Sequence, residues 1–109
     1  MENIEEREYE PEELCVMWIL DEWIKHLIKL NDEKMLSNAR SLLMYLENYG
    51  SLFKLKGIVM KKTLIYLITF ARSDYFYNLI DISEQNYLLN KLPLLNCVLE
   101  NFDENESID

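Results

Sequence analysis

An all-α domain, a compact and partly orthogonal bundle of four to five short helices with acidic disordered ends, is what this sequence predicts. Apolar residues recur three and four positions apart in several successive stretches, the spacing that stripes one face of an α-helix. Half of the 109 residues are hydrophobic, and only two are Gly and two Pro. Such a chain favours helices with short connections over a turn-rich β fold. The best-specified stretch is Asn31 to Gly50, where Met35, Leu36, Ala39, Leu42, Leu43, Leu46 and Tyr49 mark one face. Asn31 or Asp32 can cap its start, and Gly50 can take the left-handed conformation that ends a helix.

In chain order, residues 1–10 form an acidic arm expected to be disordered, residues 11–102 the helical domain, and residues 103–109 (DENESID) an acidic tail. The first helix is expected from about Pro11 to Leu30. Proline suits a first helical position, and Glu12 and Glu13 sit where the helix dipole favours negative charge. Its first half, Leu14 to Leu20, is apolar on all sides and must be covered on more than one of them. Ser51 to Gly57 looks like a tight connection or single helical turn. A third helix follows from about Ile58 to Ser73, with Val59 or Met60, Thr63, Leu64, Leu67, Ile68 and Ala71 facing inward. Its Ile, Val, Thr and Tyr content would suit a strand, but its length would not. Asp74 can cap a fourth helix from about Tyr75 to Leu92, with Asp81-Ile82-Ser83 weakening its middle. Pro93 ends or kinks it, and Leu94, Leu95, Val98, Leu99 and Phe102 outline a short fifth helix.

Charge is unevenly distributed. The total is −9, yet residues 1–24 carry nine acids against Arg7, residues 25–91 carry ten bases against six acids, and residues 92–109 carry five acids and no base. A basic middle between acidic ends leaves room for an acidic partner despite the net charge. Cys15 and Cys97 lie in apolar runs and are expected as free buried thiols. The acidic N-terminus lacks a basic signal-peptide region, and the longest uncharged apolar run, Thr63 to Ala71, falls far short of the ~20 residues that span a bilayer. These features point to an intracellular protein, nuclear or cytoplasmic.

The parts that catalysis requires are mostly missing. His26 is the only histidine and is expected as a partly exposed helix residue. Cys15, His26 and Cys97 supply no short-spaced ligand pair for zinc, and Gly50 and Gly57 match no phosphate-binding loop. Adjacent acids such as Asp21-Glu22 and Asp32-Glu33 point about a hundred degrees apart on a helix. The expectation is a protein that is not an enzyme, with no metal and no cofactor. What remains is a binding surface. Lys54, Lys56, Lys61 and Lys62 cluster ahead of the exposed-aromatic candidates Tyr75 and Tyr77, and acidic arms would repel nucleic acid, so a protein partner is favoured.

Over roughly residues 19–92 the chain resembles the helical module at the N-terminus of transcription elongation factor S-II, in its integrase-binding-domain branch. The resemblance is carried by Trp23-Ile24-Lys25-His26-Leu27-Ile28-Lys29-Leu30-Asn31-Asp32, followed by Lys61-Lys62-Thr63 and Asn90-Lys91-Leu92. It implies a scaffold without catalysis, in transcription or chromatin, that docks a disordered acidic–hydrophobic peptide between two interhelical loops. Leu30 would then be the apolar wall of the first loop, and Asn31 or Asp32 would accept from ligand N–H groups. Tyr75 and Tyr77 would clamp the anchor, and Lys61 and Lys62 would meet the ligand's acids. A competing reading is a small helical adaptor or inhibitor, viral host-interaction or antitoxin-like, that dimerises or binds a partner helix through the apolar segments 14–20 and 94–102. Those segments can also cover each other, Trp18 and Ile19 against Val98 and Phe102. A subunit of a larger helical complex would leave the same trace.

Overall fold

The computed structural model describes residues 8–48 and 51–105. Among them run α1 (Pro11–Leu30), α2 (Glu33–Asn48), a 3-10 turn (Leu52–Lys54), α3 (Ile58–Ala71), α4 (Asp74–Leu79) and α5 (Ile82–Asn105). No strand occurs among the described residues, so the fold is an all-α bundle. Residues 1–7, Tyr49, Gly50 and residues 106–109 lie outside the described set, and with them most of the expected N-terminal arm and the end of the acidic tail.

Each helix boundary has a local cause. The Glu10 backbone N–H donates to Glu13 Oε1 at 3.0 Å, tying down the entrance of α1. The exit of α1 is made by Asn31, whose φ of 59° is left-handed, a conformation that Asn tolerates better than most residues. Its N–H and that of Asp32 reach back to the Ile28 and Leu27 carbonyls. Asp32 then caps α2, its Oδ1 accepting from the Met35 N–H at 3.1 Å. Asn31 therefore ends one helix and Asp32 starts the next. Gly57, at φ 91°, makes the turn into α3 in a conformation that side-chain-bearing residues rarely take.

The stretch expected to form one helix from about Tyr75 to Leu92 is instead two. Ser73, rather than Asp74, caps α4: its Oγ accepts from the Phe76 N–H at 3.2 Å and donates to the Phe70 carbonyl at 2.7 Å. The chain breaks at Ile80, and Asp81 and Glu84 restart it by a reciprocal capping box, with bonds of 2.8 and 3.0 Å. Gln85 Nε2 closes the gap by donating to the Tyr77 carbonyl at 2.9 Å. Leu79 before the break and Ser83 after it are both exposed. Pro93 neither ends nor starts a helix, since α5 runs through it to Asn105 and takes in the first residues of the expected tail. Proline's missing N–H and its clash with the preceding turn are local costs, and the buried Leu88, Leu95 and Val98 hold both halves of α5 on the same core.

The core joins Cys15, Val16, Ile19, Leu20, Trp23 and Leu27 of α1 to Ala39, Leu42 and Leu46 of α2, with Leu52 and Leu55 beneath. α3 touches each of the other four helices. Its inner face carries Leu64, Leu67 and Ile68 as expected, but also Lys61, which is only 3% exposed, while Val59 faces out. The apolar segments 14–20 and 94–102 do contribute to one core, with Ile19 and Val98 fully buried. Trp18 packs on this core and on the rings of Phe76 and Tyr87, each at 5.5 Å between centroids, and the Phe102 side chain lies outside the described set.

Pro93→Ala is expected to raise the unfolding free energy by about 1–3 kcal/mol in a urea titration. An unchanged value would mean that α5 is not continuous through this position in solution. Leu64→Ala, at a fully buried site on the central helix, is expected to lose about 2–5 kcal/mol in the same assay.

Candidate functional site

The short α1–α2 connection sets Asp32 at the mouth of a cavity of about 390 Å³ between the first turns of α2 and α3. Lys34, Met35 and Asn38 line it from α2, and Val59, Lys62, Thr63 and Tyr66 from α3. Positions 59, 62, 63 and 66 share one face of α3 by their three- and four-residue spacing. Thr63 Oγ1 donates to the Val59 carbonyl at 2.7 Å, which uses its one O–H within α3. The groove thus combines apolar and aromatic surface, two lysines and one carboxylate.

Of the residues expected at a binding site, Asp32 and Lys62 are brought together in this groove. Leu30 and Asn31 are exposed immediately before it in the chain. Lys61 does not present its charge to a ligand. It lies one turn before Leu64 on the buried face of α3, because that helix is turned further inward than its apolar pattern suggests. Tyr75 and Tyr77 do not form a clamp. Tyr75 packs on His26 at 4.8 Å between centroids, whereas Tyr77 lines a separate cavity of about 420 Å³ with Arg72, Asp74, Leu89, Leu92 and Asn96. Two positions apart on a helix point in nearly opposite directions. Tyr66, half exposed and on the groove, escaped the sequence reading. The signal for it was its place one turn after Lys62, on the face opposite Leu64.

His26 is half-buried between Phe70, at 5.4 Å and 30°, and Tyr75. Its Nδ1 is enclosed and makes no hydrogen bond, so that nitrogen meets neither solvent nor a substrate. Cys15 is fully buried, and burial pushes its thiol up to about 11, against the opposing effects of the Lys91 charge and a hydrogen bond with Tyr87. Such a thiol is unreactive at neutral pH. Cys97, expected to be buried, is exposed, because Leu95 and Val98 take the inner positions of that turn of α5. On the outer face of α1, Lys25 Nζ lies 3.4 Å from Asp21 and 3.5 Å from Glu22, and both acids raise its pKa.

No group of three or more His, Cys, Asp or Glu side chains among the described residues is placed to hold a metal ion, and no described helix is long and apolar enough to cross a membrane. No family model, no curated protein and no solved structure matches this chain.

Native labelling with a maleimide at neutral pH is expected to modify Cys97 rapidly and Cys15 only on unfolding; equal rates would contradict the burial of Cys15. The folded state keeps the Cys15 thiol neutral to about pH 11 against an ordinary value of 9.0. Its stabilising contribution is therefore complete below pH 9 and lost as pH rises towards 11. Cys15→Val is expected to flatten that part of the pH–stability curve. His26→Phe, which keeps the stack and removes an unpartnered buried nitrogen, is expected to hold or raise stability by up to about 1 kcal/mol in thermal unfolding.

Proposed function

We propose that this chain is a non-enzymatic protein-interaction module that docks a short acidic–hydrophobic peptide in the groove between α2 and α3. The observation that carries this reading is the composition of the groove. Met35, Val59 and Tyr66 offer an apolar anchor site, and Lys34 and Lys62 flank it with positive charge. Asp32 spends one carboxylate oxygen on capping α2, and its other oxygen is available to a backbone N–H of the ligand. The resemblance to the S-II module implies the same ligand chemistry and a setting in transcription or chromatin. The residues supporting the reading differ from those the resemblance implies, with Tyr66 taking the role first given to Tyr75 and Tyr77.

The competing adaptor reading rests on apolar faces at 14–20 and 94–102. Much of both segments is already buried within this chain, Val16, Ile19 and Leu20 against the same core as Leu95 and Val98, which removes its main support.

A displayed library of short peptides, each with one aromatic or apolar anchor flanked by acids, tests the proposal beside a matched library with amides in place of acids. Enrichment of the acidic set is expected. Tyr66→Ala should cost its binders about 1–3 kcal/mol, and Lys62→Glu should weaken them mainly in the salt-dependent part. Charge reversal at Lys61 would instead place an acid in the core and is unsuitable as a probe. Failure to enrich acidic peptides, or binding indifferent to both variants, would refute the assignment.

A further inference from the structure

The rings of Trp18 and Tyr87 meet edge to face between α1 and α5, and the corner they make has a chemistry of its own. Together with Ser83 and Glu84 they line a cavity of about 370 Å³. The two rings stand 5.5 Å apart between centroids at 75°, so they form two walls meeting near a right angle. Both walls are braced from behind. Phe76 packs on Trp18 at 5.5 Å, and the Tyr87 hydroxyl is hydrogen-bonded to the buried Cys15 thiol. The third wall carries a carboxylate whose position is fixed, since Glu84 Oε1 is held by the Asp81 N–H in the capping box that starts α5. That bond occupies one oxygen and leaves the carboxylate's charge at the cavity.

We propose that this corner binds a methylated ammonium group, presented by a methylated lysine side chain. Aromatic faces attract a cation through their quadrupole, and methyl groups lower its hydration enough for it to leave water for ring surface. Lys91 Nζ already stands 5.7 Å from the Tyr87 centroid, so the ligand competes with a resident primary ammonium for that ring and gains over it by being less strongly hydrated. A primary ammonium would lose more hydration than one carboxylate and two rings return. A phosphocholine head brings the same cation with a phosphate beside it, and Asp81 and Glu84 oppose that phosphate. The proposal is independent of what occupies the α2–α3 groove.

The two indole N–H signals in a ¹⁵N NMR spectrum of the full chain provide the test, with Trp23, which is buried, as the internal control. Tetramethylammonium is expected to shift the Trp18 signal saturably, with an affinity roughly tenfold above that of neopentyl alcohol, an uncharged, water-soluble analogue. Trimethyllysine amide should bind more tightly than phosphocholine. Glu84→Gln keeps the capping bond, because glutamine serves in that box, and is expected to weaken tetramethylammonium several-fold. Tyr87→Leu should abolish the response while the Trp23 signal stays in place. Absence of a Trp18 shift, an equal response to neopentyl alcohol, or full binding by Glu84→Gln would overturn the site, and phosphocholine binding as tightly as trimethyllysine amide would overturn its assignment to a lysine side chain.

Discussion

Phe70 is the contact on which the arrangement of helices depends. Near the end of α3 its ring meets His26 at 5.4 Å, Phe76 at 5.0 Å, Tyr75 at 6.3 Å and Trp23 at 6.4 Å. Phe76 passes the contact to Trp18, and Trp18 to Tyr87. One continuous run of aromatic rings therefore joins α1, α3, α4 and α5. Tilted and edge-on ring pairs favour particular geometries beyond the area they bury, so this run constrains helix orientation as well as distance. It also explains why α4, only six residues long, holds its place: Phe76 is fully buried and Ser73 ties its start to the Phe70 carbonyl.

Much of the fold was legible in the sequence, and each failure has a physical source. The bounds of α1 follow from Pro11 at its start and the polar pair Asn31-Asp32 at its end. Buried positions of α2 follow from strict spacing, Ala39, Leu42 and Leu46. α3 was harder because it is apolar nearly all round, so its pattern does not fix its rotation. Lys61 went inside as a result, and of the two alternatives Val59 and Met60 it is Met60 that packs on the core. Pro93 was expected to divide two helices, yet the division came eleven residues or so earlier, where Asp81 and Glu84 supply a capping box. Local hydrogen bonding outweighed the residue usually regarded as the stronger breaker, because apolar contacts on either side of Pro93 keep α5 in one piece.

The groove was legible only in part. Asp32 and Lys62 could be named from their loop and charge, but a cavity needs the rotation of both helices that line it, and α3 gave no clear phase. Tyr66 belongs to it for the reason that Lys61 does not: the same turn of α3 that buries one presents the other. The aromatic corner at Trp18 and Tyr87 was beyond reach, since it joins residues from opposite ends of the chain.

That difference in separation bears on the order in which the molecule assembles. The groove is built from α2 and α3, neighbours in sequence, so it closes at a modest entropic cost. The corner between Trp18 and Tyr87 requires closure of a loop of about seventy residues, which is slower and costlier. During synthesis, too, the first surface is complete when α3 is, whereas the second waits for α5. A chain interrupted after α3 would carry the groove in rudimentary form and, of the corner, Trp18 alone.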